Sequence, residues 1–471
     1  MKKILFIAGF LLCTVSCFAQ KVTGDWYGNL EVQPGVTLPL VLHVSETNGA
    51  YSATLDSPKQ GAFGIPVTTT TYENSVLSIS LSTMGLQYTG TLKSDALVEG
   101  TFTQGPLTMP LTLGREANEG AALKRPQEPK APFPYTEEEV SFDNTAAGIT
   151  LAATLTMPNT TAGEKNTFPA VILISGSGPQ DRNEELMGHK PFLVLADHLT
   201  RNGFAVLRYD DRGTAKSTGD YSTATSADFA TDAQAAFDYL LSREDIDTKN
   251  IGYAGHSEGG FIAPMVAAKN KNVAFLALLA GVGQEGAEIL TEQSYLIAKA
   301  QGANEEVLRK SQIVSMKIFD LLKEHSGNRE LMQSELKSYL TNALEDNPEM
   351  IPQGTTIAQF VDQRVNTFTS PWFQYFILTN PAQFLEKVSC PVLAINGSMD
   401  LQVPAKANLS AIDKFVKKGG NTDVTTVEIP NLNHLFQHAE TGNPAEYGSI
   451  EETFAPEALE IISNWLKEKT K

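Results

Sequence analysis

The segment Ile251–Gly260, reading I-G-Y-A-G-H-S-E-G-G, leaves few folds open to this chain. A short apolar run through Ile251, Tyr253 and Ala254 ends at Gly255-His256-Ser257-Glu258-Gly259, and helix-compatible residues follow at once. A serine at the apex of a strand-to-helix turn sits in strained backbone. Its surroundings are tight enough that a Cβ at Gly255 or Gly259 would crowd the turn. The helix beginning there aims free N–H groups at the space beside the serine, where negative charge is stabilised. G-x-S-x-G is therefore the pattern of a nucleophile elbow. An ordinary tight turn after a buried strand uses the same residues, so the surrounding chain has to decide between the two.

The chain around the elbow alternates strands with helices from Glu137 onward, the pattern of a mostly parallel sheet covered on both faces. The strands expected are Glu139–Phe142, Ile149–Thr156, Ala170–Ile174, Phe204–Tyr209, Ile251–Ala254, Ala274–Leu279, Val392–Ile395 and Val424–Ile429. Helices are expected over Pro191–Arg201, Ala227–Leu241, Ser257–Ala268, Ala405–Lys417 and Pro456–Lys467. Eight strands, the first pair antiparallel and the serine after the fifth, match the α/β-hydrolase fold. Between the sixth and seventh strands, about 284–387, lies a helical stretch placed to cover the site as a cap. Trp372, Phe373, Tyr375 and Phe376 either line a substrate pocket there or pack the cap onto the core.

Upstream, residues 20–115 read as a small all-β domain, a barrel or sandwich, with an Asn48-Gly49 hairpin and the alternating strand Leu77, Ile79, Leu81. Trp26, Tyr27, Tyr51 and Tyr88 either form a sugar-stacking platform, giving a glycan or envelope contact, or fill the core. Residues 116–135, with Pro126, Pro129, Pro132 and Pro134, read as a semi-rigid linker to the domain at 136–471. Residues 1–19 read as a secretory signal peptide: Lys2 and Lys3, the apolar run Ile4–Leu12, then Cys17-Phe18-Ala19 before a cut ahead of Gln20. The protein is then periplasmic or extracellular, and a lipoprotein acylated at Cys17 is the alternative. With that segment gone, Cys390 alone remains of three cysteines, so no internal disulfide forms. Removing Lys2 and Lys3 takes the net charge from −18 to −20, because that segment holds no acid. Such acidity disfavours nucleic acid and anionic membranes, and no later run reaches spanning length.

A serine hydroxyl needs a base to take its proton, and the base needs an acid to hold its tautomer. In this fold they arrive in the order Ser, acid, His. Asp400 follows the strand Val392–Ile395, and His434 follows the last strand, so both reach the face that carries Ser257. His438 is the rival base, but four residues on it suits a loop edge. Oxyanion donors are expected from the amide of Glu258 and from the loop Ser175-Gly176-Ser177-Gly178-Pro179, with Ser177 first and Gly178 next. The Glu258 carboxyl is expected in a salt bridge or a helix-start interaction. A phosphate loop is excluded by the absence of G-x-x-x-x-G-K-[ST]. The seven histidines do not cluster and H-E-x-x-H is absent, so neither metal nor cofactor is implied.

Four motifs in order, Ser175–Asn183, Tyr209-Asp210-Asp211-Arg212-Gly213, the elbow and Asn433-His434-Leu435-Phe436, resemble the α/β-hydrolase superfamily, and within it bacterial carboxylesterases of the EstD type. Those enzymes also carry an extra N-terminal domain and a helical cap. The resemblance implies that Asp211 and Arg212 form a pair supporting the loop beside the site, as the glycines 255 and 259 support the turn. Ser175 departs from relatives that have histidine there. The expectation is an exported serine hydrolase acting on a small ester. The alternatives are a serine peptidase or aminopeptidase on the same scaffold, and a glycan- or envelope-binding protein with an inactive hydrolase part. Mass spectrometry of protein exported by an expressing cell should find Gln20 as the first residue; an intact Met1 or a lipid on Cys17 would refute the cleavage site.

Overall fold

The computed structural model describes residues 22–33, 36–47, 49–60, 62–81, 85–105, 107–117, 125–159, 167–351 and 355–471. The signal segment and Cys17 lie outside these residues. The chain divides into two compact units, Met1–Leu123 and Lys124–Lys471.

The first unit is one antiparallel sheet of nine strands: β1 (Gly24–Gln33), β2 (Val36–Thr47), β3 (Ala50–Ser57), β4 (Ala62–Pro66), β5 (Thr69–Glu73), β6 (Val76–Leu81), β7 (Leu86–Ser94), β8 (Leu97–Gln104) and β9 (Leu107–Gly114). The edge strands β4 and β5 are consecutive. Between them Val67 N–H donates to Ala53 of β3 and Thr68 N–H to Ser80 of β6, so the sheet curls back on itself. Period-two alternation sends Trp26, Leu42, Leu77, Leu81, Tyr88 and Val98 inward. Trp26 and Tyr88 are fully buried, which removes them from any sugar-stacking platform and makes them core. Trp26 donates its indole N–H to the Val22 carbonyl at 2.7 Å, and the Arg115 guanidinium lies 3.5 Å from its ring centre.

The second unit carries eight strands: β10 (Tyr135–Asn144), β11 (Ile149–Pro158), β12 (Phe168–Ile174), β13 (Ala205–Tyr209), β14 (Ile246–His256), β15 (Leu276–Leu279), β16 (Val392–Gly397) and β17 (Val424–Ile429). Their order in space is β10-β11-β13-β12-β14-β15-β16-β17. The first two are antiparallel and the run from β13 to β17 is parallel. This is the α/β-hydrolase fold. Five helices cover the two faces: α1 (Pro191–Arg201), α2 (Ser226–Leu241), α3 (Gly259–Lys269), and later α10 (Ala405–Lys418) and α11 (Pro456–Lys469). Because both faces are covered, β12 and β15 read as unbroken apolar runs. The proline-rich stretch is partly bound into this unit. Arg125 donates to the carbonyls of Gly188, Gly448 and Ile450, and Gln127 donates to that of Phe454.

Between β15 and β16 stands a helical cap of α4 (Gly286–Ala300), α5 (Glu305–Glu324), α6 (Arg329–Asp346), α7 (Ile357–Phe368), α8 (Pro371–Leu378) and α9 (Ala382–Leu385). It has its own apolar centre in Leu322, Met332, Leu336, Val361 and Phe373. Among the described residues no helix is long and apolar enough to cross a membrane.

In the first unit, His43 sits between Asp56 (2.9 Å) and Asp25 (2.7 Å). The hydrogen bond to Asp56 is the main force raising its pKa to about 9, against the opposing effect of burial. A histidine raised in the folded state stabilises fully below its unfolded value of roughly 6.5 and loses that contribution as pH rises through the folded value. The denaturation midpoint of this unit should therefore fall between about pH 6.5 and pH 9, and His43→Gln should flatten that slope in urea titrations across the range.

Candidate active site

Every predicted reactive side chain leaves the carboxyl end of a parallel strand, where ligands meet open α/β sheets. Ser257 follows β14, Asp400 follows β16 and His434 follows β17. Ser257 has φ +51°, the strained left-handed conformation the elbow requires. The reason is space: a Cβ on Gly255 would run into the Gly259 backbone, so the strand can enter its helix only by this sharp reversal.

The acid and base loops are equally constrained. Asp400 Oδ1 accepts the amides of Gln402 (2.8 Å) and Val403 (2.9 Å), leaving Oδ2 for His434 Nδ1 at 2.7 Å. Both residues are buried. Asn433 closes the base loop, its Oδ1 accepting from the amides of Leu435 and Gln437. A Cβ on Gly397 would overlap the Leu432 carbonyl, so only glycine lets the acid loop pass the base loop this closely. His438 is half exposed and pairs with Glu452 and Glu457 at 2.9 Å each, away from this centre.

The loop after β12 separates its candidate donors. Gly176 N–H is given to Glu184 Oε1 (2.6 Å) and Gly178 N–H to the Tyr221 hydroxyl (2.9 Å). Ser177 N–H has no acceptor among the described residues, and neither has the amide of Glu258 at the start of α3. The placement of Gly178 as a second donor is thus corrected: Tyr221, from the loop before α2, already holds it. A Cβ built on Gly176 would stand 3.3 Å from Ser257 Cβ, which puts this loop against the nucleophile.

Two further expectations are corrected. Asp211 and Arg212 support the site but do not pair with each other. Asp211 accepts from Ser175 Oγ (2.8 Å) and Gln180 N–H (2.9 Å), whereas Arg212 turns away to Asp232 (2.7 Å). Successive residues leaving a strand point to opposite sides, so one braces the oxyanion loop and the other α2. Burial pushes the Asp211 carboxyl well up. The Glu258 carboxyl has no salt bridge among the described residues: its Oε1 accepts from Ser226 Oγ (2.6 Å) and from Trp372 Nε1 of the cap (2.7 Å). Burial raises its pKa as well.

Trp372, expected either to line a pocket or to pack the cap, therefore ties α8 to the elbow. Phe373 and Phe376 are buried as cap and core packing. The sequence reading missed Glu184, His256 and Tyr221. Their partners lie tens of residues away, and no local spacing announces such contacts.

The sequence pattern of X-Pro dipeptidyl-peptidases (S15 family) matches residues 147–432, a stretch containing Ser257 and Asp400 and ending just before His434. The chain belongs to that family. It is also 23% identical over 372 residues to the esterase EstD of Thermotoga maritima, covering 78% of this chain and 77% of that protein. Among solved structures, the hypothetical protein PA2218 of Pseudomonas aeruginosa is 16% identical with a TM-score of 0.45, over 74% of this chain and 98% of that one. The Pyrococcus furiosus esterase Pf2001 is 16% identical with a TM-score of 0.41, over 71% and 93% of the two chains.

Gly255→Ala tests the elbow's packing directly. The atoms it meets are backbone and cannot swing aside. The substitution should cost on the order of 3 kcal/mol, read as a lower urea midpoint for the second unit; an unchanged midpoint would refute the crowding.

Proposed function

We propose that this chain is an exported serine hydrolase cleaving small carboxylic esters through an acyl-enzyme. Ser257 Oγ attacks the ester carbonyl while His434 Nε2 takes its proton, and Asp400 holds Nδ1–H and balances the imidazolium charge. The tetrahedral oxyanion is met by the free amides of Ser177 and Glu258. His434 then protonates the leaving alkoxide. Water, deprotonated by the same ring, releases the acid and restores the serine.

The observation that carries the reading is the buried 2.7 Å bond from His434 Nδ1 to Asp400 Oδ2, in loops that converge on a left-handed serine. The likeness to the Thermotoga esterase supports an ester as substrate. Export is supported by Lys2, Lys3, Ile4–Leu12 and the small residues before Gln20.

The family membership favours a second reading, cleavage of X-Pro dipeptides from peptide amino termini. Such a substrate brings an ammonium group that needs a carboxylate in the site. The three acids lining the small cavity beside the oxyanion loop are already engaged, Asp211 by Ser175 and Gln180, Asp232 by Arg212 and Asn144, and Glu258 by Ser226 and Trp372. The ester reading therefore comes first.

A fluorophosphonate probe and a panel of p-nitrophenyl esters and X-Pro p-nitroanilides separate the two. Ser257→Ala should abolish labelling, and His434→Ala should lower ester kcat by roughly 10⁴-fold or more, with His438→Ala close to wild type. Serine-dependent anilide cleavage without ester turnover would establish the peptidase; a folded wild type that does not label would overturn both.

A further inference from the structure

One buried ion pair next to the nucleophile has no part in the scheme above. His256, immediately before Ser257, places Nδ1 2.8 Å from Glu184 Oε1 and Nε2 3.0 Å from the carbonyl oxygen of His434. Glu184 Oε1 also accepts the Gly176 amide at 2.6 Å. An unbroken chain of hydrogen bonds thus runs from the oxyanion loop, through the residue beside the nucleophile, to the backbone of the base.

The proton inventory follows from the partners. A carbonyl oxygen only accepts, so Nε2 of His256 carries a proton. Glu184 Oε1 is already accepting from Gly176, so Nδ1 is the donor across the 2.8 Å contact. With both ring nitrogens of His256 facing acceptors, its doubly protonated form is favoured. Burial opposes that charge, but the charge and hydrogen bond of Glu184, the His434 carbonyl and the more distant Asp400 outweigh it, and the pKa is raised. The remaining faces of the ring meet His434, centroid to centroid 4.8 Å, and Phe436 at 6.4 Å.

The backbone bends to make this pair. Glu184 has φ +53°, a left-handed conformation costing a non-glycine residue on the order of 1 kcal/mol. A Cβ on Gly176 would stand 3.2 Å from Glu184 Oε1 and 3.3 Å from Ser257 Cβ, so a side chain there would press on both by a few tenths of an ångström. Holding two loops to a fraction of an ångström is what an oxyanion site requires, because its donors act only when aimed beforehand.

We propose that Glu184 and His256 are positioning residues: their buried ion pair locks the Gly176–Ser177 turn and the His434 loop in register across Ser257. This rests on the serine-hydrolase reading. Its signature is in pH. A raised histidine holds its contribution at low pH and surrenders it as pH rises through the folded pKa. The neutral ring keeps its proton on Nδ1 against the Glu184 carboxyl and leaves an Nε2 lone pair facing the His434 carbonyl, so the base loop loosens and kcat falls. The wild type should show an alkaline limb in kcat that depends on Glu184.

Glu184→Gln keeps an acceptor for Gly176 and for Nδ1–H but removes the charge that favours the second proton on His256. The alkaline limb should move to lower pH, and kcat should drop by roughly 10²-fold with KM within about 3-fold. Glu184→Asp, which keeps the charge, should restore part of kcat and return the limb towards its wild-type position. The full chain is used throughout, with fluorophosphonate labelling rates and p-nitrophenyl ester kinetics measured together, and thermal unfolding recorded for each variant. A labelled wild type whose kcat has no alkaline limb overturns the proposal even where a variant does not fold. So does a folded Glu184→Gln with unaltered kcat and pH profile. A wild type that is never labelled fails at Ser257 itself, and the proposal falls with the serine-hydrolase reading.

Discussion

The second unit depends on a shortage of space at one turn. Where β14 becomes α3, the backbones at Gly255 and Gly259 leave no room for a side chain. The residue at the apex must therefore adopt positive φ and stand proud of the sheet. Strain of this kind persists only where surrounding packing over-determines it. Here the packing is the apolar interior of β12, β14 and β15, together with α3, which is buried along nearly its whole length. A helix so enclosed cannot shift to relieve the turn.

The polar structure around that turn is built from groups that each hold another. Asp400 is held by two amides before it meets His434, and Asn433 folds the base loop onto itself. Asp211 braces the oxyanion loop from beneath, and Tyr221 takes the amide of Gly178. Of the amides of Gly176, Ser177 and Gly178, this leaves that of Ser177 without an acceptor among the described residues. Buried polar groups are costly unless satisfied, and full satisfaction makes such a network rigid. Rigidity is the property an oxyanion site needs. Trp372 extends the same logic to the cap, joining α8 to the carboxyl of the residue that follows the nucleophile.

The first unit solves a different problem. A nine-stranded sheet would expose two long edges, and here the consecutive strands β4 and β5 bring those edges together through Val67 and Thr68. Its interior is filled by side chains such as Trp26 and Tyr88 rather than left open.

Much of this was legible in the amino-acid order. Apolar runs and helical stripes placed all eight strands of the second unit and most helices to within a few residues, because both periodicities are local. Ser257, Asp400 and His434 could be singled out because each follows an apolar strand, and a parallel sheet delivers all its carboxyl ends to one side. Pairings were not legible. Which amide Tyr221 would occupy, where Arg212 would turn, that Glu258 would meet Trp372 across more than a hundred residues, and that Glu184 would reach His256 all depend on how loops distant in sequence pack together. The chain by itself determined the order of elements and the residues able to do chemistry. Only the tertiary structure decided which of their hydrogen-bonding groups are already taken and which stay free, because that is settled by contacts no local pattern encodes.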